Sequence, residues 1–571
     1  MIPNPHSRLA VWLIALAVLV GCDKPADPQS AAAPASADQR RAAIAIPDKY
    51  GARVAEEILR DGGNAIDAAV AVGFSMAVTF IDAGNIGGGG FMLIQYEGES
   101  AFLDYREIAP AAAHRDMYLD ENGDVIDKAS LIGAQAAGVP GTVAGMWAAH
   151  QRYGQLPWSR VVEPAIQLAE EGFLPAAILV DDIHGMRDWF GEQTNFYRYF
   201  GSISTDEPFK QPELAATLRR IADQGEDDFY RGETAELIAA EMETSDGLIT
   251  LEDLDEYRAV WREPLRADWR DFEVLSAPPP SSGGFAVIQL LKMKDYLAHY
   301  FDSVEHNSPQ YIHLVAEMEK RVFADRAEYL GDPDFVDNQI DRLIDDAYVA
   351  RRALEVNESD ISSLSGVEPG LETPNTTHYS IVDQWGNAVS NTYTINWNYG
   401  SGVVVSGAGF LLNNEMDDFS VKPGVPNVFG VVGNTANEIQ PGKRMLSSMS
   451  PTILLRDGEV AMVVGTPGGS TIFTSVFQTI VNVLDYGMTP AEAVGATRFH
   501  HQLLPPDLIT YSVTVPLEPE VISALGDRGY RAEPHPWEFG DVQLIWRDDE
   551  EWLPASDPRD RGVSTELLFD D

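Results

Sequence analysis

The sequence predicts an α+β protein, and three stretches carry that expectation. "YGARVAEEILRDGGNAIDAAVAVGFSMAV" (Tyr50–Val78) has apolar residues at helical spacing on both sides of a Gly-Gly-Asn break, so it reads as two helices. "THYSIVD" and "NAVSNTYTIN" (Thr377–Asp383 and Asn387–Asn396) read as two strands of a hairpin turned by Gln384-Trp385-Gly386. "YIHLVAEMEKRVFADRAEYL" (Tyr311–Leu330) reads as one long helix.

The chain has 571 residues and one cysteine, Cys22. A single cysteine excludes an intrachain disulfide, a multi-cysteine zinc site and a cysteine nucleophile in the folded body. Arg8 precedes an apolar run, Leu9–Val20, that has the length of a signal-peptide core and is short for a membrane span. The run ends in "LVGC" (Leu19–Cys22), which resembles the bacterial lipoprotein signal, in which the cysteine is lipidated. Asp23 resembles an inner-membrane retention signal, which places the expected site of action in the periplasm, on a lipid anchor. The following "KPADPQSAAAPASADQ" is rich in Pro, Ala and Ser and reads as a flexible tether. The expected division is a signal over 1–21, a tether over 22–41 and a globular body from Ala42. With 88 acidic against 40 basic residues the formal net charge is -48, which repels phosphate backbones and excludes nucleic acid as a partner. Such an acidic balance reads as a solvated surface.

Further along, "DAGNIGGGGFMLIQY" (Asp82–Tyr96) is not a phosphate loop: the spacing is not GxGxxG and no Gly-Lys-Ser/Thr follows. Its glycines are expected to permit close backbone packing or unusual dihedrals. "AFLDYREIAPAAA" (Ala101–Ala113) contributes Arg106, whose guanidinium suits a carboxylate ligand. "SAPPPSSGGF" (Ser276–Phe285) reads as a rigid turn before a helix. His313 and Glu317 lie four apart on one helix face, but without an HExxH motif they read as a structural or exposed pair, and no metal site is expected. Residues 355–375 carry a loop signature of Gly, Pro, Ser and Asn.

The hairpin after that loop is rich in threonine. On a strand Thr392, Thr394 and Asn396 share a face. A threonine hydroxyl needs a base to act as a nucleophile, and "GTPGGS" (Gly465–Ser470) is not a GxSxG elbow. One solution is the threonine's own freed α-amine, which titrates near ~8 and so can move protons at neutral pH. That amine exists only if the bond before the threonine is cut, and a loop ending in Asn375-Thr376 is a sensible place for the cut.

"TTHYSIVDQWGNAVSNTYTIN", "GFLLNNEMDDFS", "KPGVPNVFG", "KRMLSSMSPTI" and "GTPGGSTIFTSVFQ" resemble, in order, the small-subunit motifs of the γ-glutamyltranspeptidase (glutathione hydrolase) family. "DGGNAIDAAVAVGF", "GNIGGGGFMLI" and "DYREIAP" resemble its large subunit, and "ASDPRDRG" its C-terminal signature. The resemblance runs from about Ala42 to the end. It implies the four-layer αββα sandwich of the N-terminal-nucleophile hydrolases, cut by itself between Asn375 and Thr376 into a large subunit (42–375) and a small catalytic subunit (376–571) that stay associated. It implies cleavage of glutathione and other γ-glutamyl amides through a γ-glutamyl–threonine ester, with transfer to water or to amino acid and dipeptide acceptors, and no cofactor. Thr376 would be the nucleophile, oriented by Thr394. Asn396, Glu415 and Asp418 would hold the substrate's α-ammonium, and Arg106, Ser447 and Ser448 its α-carboxylate. Gly468 and Gly469 would form the oxyanion hole. Three positions depart from common bacterial patterns: Glu415 where glutamine is frequent, Phe429 for a tyrosine on the lid loop "KPGVPNVFGVVG", and Asn375 where glutamine is frequent. The competing readings are a glutaryl- or cephalosporin-type acylase, which does not need to hold a free amino acid head, a capsule polyglutamate-processing relative, which needs a more open site, and a non-enzymatic acidic binding lipoprotein.

Overall fold

A computed structural model describes residues 40–363, 376–422 and 435–569. Cys22, Asp23, Asn375, Phe429 and the lid loop beyond Lys422 lie outside the described residues. The body begins at Arg40 rather than Ala42. Arg40 and Arg41, read above as the end of the tether, pair with Phe569 and Leu568, and Arg41 also bonds Glu566 at 2.8 Å.

In chain order the strands are β1 (Arg40–Ile46), β2 (Gly89–Tyr96), β3 (Glu99–Asp104), β4 (Val260–Arg262), β5 (Leu265–Trp269), β6 (Phe272–Ser276), β7 (Thr377–Val382) and β8 (Ala388–Thr394). They continue with β9 (Thr452–Arg456), β10 (Glu459–Gly465), β11 (Phe499–His500), β12 (Leu508–Tyr511), β13 (Arg531–Pro534), β14 (Gln543–Asp548), β15 (Glu551–Ser556) and β16 (Val563–Phe569). A seven-stranded antiparallel sheet has the order β16-β1-β7-β8-β2-β3-β4, and a six-stranded one β15-β14-β10-β9-β6-β5. A third, small sheet joins β11, β12 and β13.

The two large sheets pack face to face over a layer that includes Phe91, Leu93, Val382, Ile453, Val463 and Ile545. The outer face of the first sheet is covered by α1 (Lys49–Arg60), α2 (Ala65–Thr79), α3 (Thr142–Tyr153) and α4 (Trp158–Glu171). Helices Gly283–Tyr296, Pro309–Tyr329, Asp346–Leu354 and Thr471–Leu484 cover the second. The result is the expected four-layer αββα sandwich. The Gly-Gly-Asn break acts as read: Asn64 caps α2, its side chain accepting from Ile66 and Asp67 N–H, while the Asp67 carboxylate accepts from Asn64 N–H. α2 is buried almost all round, as its largely apolar circumference requires.

The hairpin's polarity has a structural explanation in this layering. β7 and β8 pair antiparallel, with Thr377 opposite Tyr393 and His378 opposite Thr392. Strand alternation sends Tyr379 and Tyr393 toward the helices, where their hydroxyls donate to the Ala69 and Gly73 carbonyls at 2.9 and 3.0 Å. The alternate residues face the second sheet. There Ser380 Oγ donates to Gln543 O (3.0 Å), Ser390 Oγ to Val464 O (3.3 Å), and His378 Nδ1 shares a bond with Thr392 Oγ1 (2.8 Å). Hydroxyls thus bridge the two sheets, and Thr376 and Thr394 lie at the end of that bridged face. Asn396 lies past the strand in the left-handed region (φ 71°), a conformation asparagine tolerates.

Candidate active site

Thr376 immediately precedes β7, and its Oγ1 donates to Thr394 Oγ1 at 3.4 Å. Thr394 Oγ1 also accepts from Asn396 N–H at 2.8 Å. The end of β8 is set by the glycine run at the start of β2, as the sequence suggested. A Cβ on Gly88 would stand 2.0 Å from the Thr394 carbonyl oxygen, so only glycine allows this approach.

Glu415 and Asp418 are the first and last residues of a 3₁₀ turn, Glu415–Asp418. With three residues per turn, side chains at i and i+3 eclipse, so the two carboxylates point the same way. The preceding asparagines fix the turn. Asn413 Nδ2 donates to the Gly87 and Gly138 carbonyls (2.9 and 2.8 Å), and Asn414 O accepts from Asn396 Nδ2 at 3.0 Å. Asp417 points elsewhere: it is buried and accepts from Ser130 Oγ at 2.5 Å. Both converging carboxylates bond Arg106: Nη1 to Glu415 and Nη2 to Asp418. Arg106 is buried just past β3, with its backbone N–H on Asp104 Oδ1 (3.0 Å) and its carbonyl accepting from Tyr257 Oη (2.9 Å).

One guanidinium here faces several acids. Burial works against the charge on Arg106, but Glu415, Asp418 and Glu107 outweigh it and raise its pKa. Burial pushes Glu415 well above the usual carboxylate range and raises Asp418, with Arg106 opposing both. Glu107 Oε2 is 3.8 Å from Arg106 Nη1, and neither of its carboxylate oxygens meets a hydrogen-bond donor from another described residue. Burial pushes Glu107 up to about 7.

Ser447 and Ser448 approach from the loop before β9. Ser447 N–H donates to Pro280 O, and Ser447 O accepts from Ser282 N–H, both at 2.8 Å, so the "SAPPPSSGGF" turn braces the serine pair. Gly468 and Gly469 have φ of 140° and 56°, backbone that favours glycine. Their carbonyls accept from Thr471 and Ile472 N–H (3.0 and 3.3 Å), which places the pair at the positive end of the helix Thr471–Leu484.

All the sequence-predicted site residues within the described segments converge. Thr376, Thr394, Asn396, Arg106, Glu415, Asp418, Ser447, Ser448 and Gly469 line one pocket. Gly468 lines an adjoining cavity of about 200 Å³ that Thr376 also borders. Sequence reasoning missed Glu107, adjacent to Arg106, and Arg326, which lines the pocket from the helix Pro309–Tyr329. The His313–Glu317 pair lies elsewhere. His313 bonds Tyr530 Oη and Asn357 O at 2.9 Å each, whereas Glu317 bonds Lys320 and Arg321.

The four-layer sandwich, with a threonine at the start of a central strand and its hydroxyl in an inter-sheet pocket, is the architecture of the N-terminal-nucleophile hydrolases. Residues 51–567 match the family model for γ-glutamyltranspeptidase, and the chain belongs to that family. A glutathione hydrolase proenzyme of Pseudomonas aeruginosa is 57% identical over 521 residues, covering 91% of this chain and 94% of that one. Among solved structures, γ-glutamyltranspeptidase from Pseudomonas nitroreducens complexed with L-DON is 56% identical, with a TM-score of 0.55, covering 56% of this chain and 95% of that one. Cephalosporin acylase from Bacillus halodurans is 26% identical, with a TM-score of 0.80, covering 94% and 98%.

Proposed function

We propose that this chain is a γ-glutamyltransferase and glutathione hydrolase that cuts itself before Thr376. The observation that carries the reading is the cluster of one arginine and two carboxylates, Arg106 with Glu415 and Asp418, buried in the pocket of the Thr376 hydroxyl. A γ-glutamyl group ends in an α-ammonium and an α-carboxylate, and this cluster can exchange its internal ion pairs for bonds to both. Glu415, Asp418 and the Asn396 side chain take the ammonium; Arg106, Ser447 and Ser448 take the carboxylate. An acylase for uncharged or monoanionic acyl groups does not need this set.

Chemistry follows from the position of Thr376. Its freed amine accepts the hydroxyl proton as Oγ1 attacks the γ-carbonyl, and Thr394 holds Oγ1 in line. The Gly468 and Gly469 N–H groups, at a helix N-terminus, stabilise the oxyanion. The intermediate collapses as the proton passes to the departing amine, leaving a γ-glutamyl–Thr376 ester. Water then gives glutamate, or the amine of an amino acid or dipeptide gives a new γ-glutamyl amide. The polypeptide cut uses the same hydroxyl on the Asn375 carbonyl, through an ester that water opens. The two pieces stay together because strands from before and after the cut pair with one another in both sheets: β1 pairs β16 and β7, β2 pairs β8, and β6 pairs β9.

The test is release of aniline from a γ-glutamyl anilide by the processed protein, with and without a dipeptide acceptor. Turnover that the dipeptide accelerates supports the reading; a glutaryl anilide turned over faster than the γ-glutamyl one overturns it in favour of an acylase. The location proposed is the periplasmic side of the inner membrane, through lipid on Cys22. Cys22→Ser is expected to release soluble, active enzyme, and a wild-type protein that is wholly soluble with no acyl group would refute the anchor.

A further inference from the structure

Arg326 is a charged side chain that the chemistry above does not use, yet it lines the pocket of Thr376 and is only 6% exposed. Its Nε donates to Ser282 Oγ at 3.0 Å and its Nη2 to Ser448 Oγ at 3.3 Å. Ser282 Oγ in turn donates to the Ser447 carbonyl at 2.7 Å. Arg326 therefore reaches the serine pair twice, directly at Ser448 and through Ser282 at Ser447.

The local charge balance gives this contact a purpose. Arg106 is shared between Glu415 and Asp418, with Glu107 close behind it. A carboxylate bound through Arg106 alone would enter a neighbourhood with more acids than cations. Arg326 supplies a second cation on the serine side. A hydroxyl has one proton and two lone pairs. A guanidinium donating to Ser448 Oγ occupies a lone pair, leaves the proton to point at a ligand, and strengthens it as a donor by polarisation.

We infer that Arg326 is a positioning residue for the donor's α-carboxylate, acting through Ser448 and adding a second positive charge to that of Arg106. This rests on the pocket being a γ-glutamyl site. Three donors separate the parts of that head: γ-glutamyl anilide carries both charges, glutaryl anilide keeps the carboxylate, and 4-aminobutyryl anilide keeps only the ammonium.

For Arg326→Met the expected result is a KM for γ-glutamyl and glutaryl anilide raised about 10- to 100-fold, the range for losing a hydrogen bond to a charged group. The 4-aminobutyryl donor should lose far less, since Arg326 bears on the ammonium site only through its charge near Asp418, and kcat should change little. Arg326→Lys, which keeps the charge and is the milder change to the fold, should recover part of the loss. Combining Arg326→Met with Ser448→Ala should cost less than the two single losses multiplied together, because the contact through Ser448 is shared. Equal losses on all three donors, or an unchanged KM for γ-glutamyl anilide in both Arg326 variants, would overturn the inference. An unmutated enzyme that ignores γ-glutamyl anilide overturns the functional reading itself, and is seen before any variant is made.

Discussion

Replacing Asp418 by asparagine keeps the side chain's size and one acceptor oxygen but removes a charge. In the structure Asp418 and Glu415 converge on Arg106, and Asp418 is 12% exposed while Glu415 is 1% exposed. If the donor's α-ammonium lodges between these carboxylates, the substitution halves the charge that meets it. Truncating one member of a buried charge pair costs ~2–5 kcal/mol. Here Glu415 remains and asparagine still accepts a hydrogen bond, so the lower part of that range applies. About 2–3 kcal/mol corresponds to a loss of roughly 30- to 150-fold in kcat/KM.

The assay is initial-rate hydrolysis of γ-glutamyl, 4-aminobutyryl and glutaryl anilides by the processed variant. The first two carry the ammonium and should show the full loss. Glutaryl anilide has none and should lose less than about threefold, within what a distant polar change costs. Self-cleavage should continue, because the Asn375–Thr376 bond presents no ammonium. A glutaryl loss as large as the γ-glutamyl loss would refute the reasoning, since it would mean that Asp418 shapes the pocket rather than recognising a charge.

Thr376→Ala removes the hydroxyl and is expected to leave one inactive, full-length band on a denaturing gel; two bands would show that the cut does not use Thr376. Gly88→Ala puts a Cβ 2.0 Å from the Thr394 carbonyl and should cost ~1–3 kcal/mol of stability through overpacking while slowing turnover; an unchanged Tm and kcat would contradict the tight approach. Glu107, raised by burial from 4.5 to about 7, favours the fold below its unfolded pKa and loses that contribution as pH rises through about 7, so Glu107→Gln in the uncut Thr376→Ala chain should gain up to about 3 kcal/mol relative to its parent between pH 4 and pH 8. A stability difference that does not change with pH would show that Glu107 is not a buried titrating group.

Sequence pattern made visible whatever was local. The α1–α2 pair and the β7–β8 hairpin follow from periodicity and from turn residues a few positions apart. Glu415 and Asp418 entered through the family resemblance, and the 3₁₀ turn that sets them side by side is seen only in the structure. Arg326 was not visible in this way. The helix Pro309–Tyr329 buries Glu317, Glu319, Lys320, Arg321, Asp325 and Arg326, so its charges do not mark a solvated face. Only the fold brings Arg326 to Ser448, 122 residues away, and nothing in the pattern of the helix separates it from Arg321, which bonds Glu317 on its own helix. Glu107 was overlooked for a related reason: beside Arg106 in sequence it reads as a surface ion pair, whereas β3 carries both into the interior. The sheet order is likewise set by pairings hundreds of residues apart, such as β1 with β16.

That long-range pairing ties maturation to specificity. Before the cut the Thr376 nitrogen is an amide and cannot act as a base, so the fold must be complete, and the threonine placed, before the catalyst exists. After the cut no bond joins the pieces. Arg106, Arg326 and Ser282 belong to the first piece, and Asn396, Glu415, Asp418, Ser447 and Ser448 to the second, so the carboxylate subsite has a wall from each, and the two carboxylates of the ammonium subsite bond an arginine of the first. The same ion pairs and hydrogen bonds that prepare the pocket for an amino acid head also cross the junction between the pieces, in addition to four strand pairings. Weakening that junction should therefore loosen the hold on the γ-glutamyl head before the pieces separate, because the charge contacts lie in the pocket while the strand ladders are buried behind it.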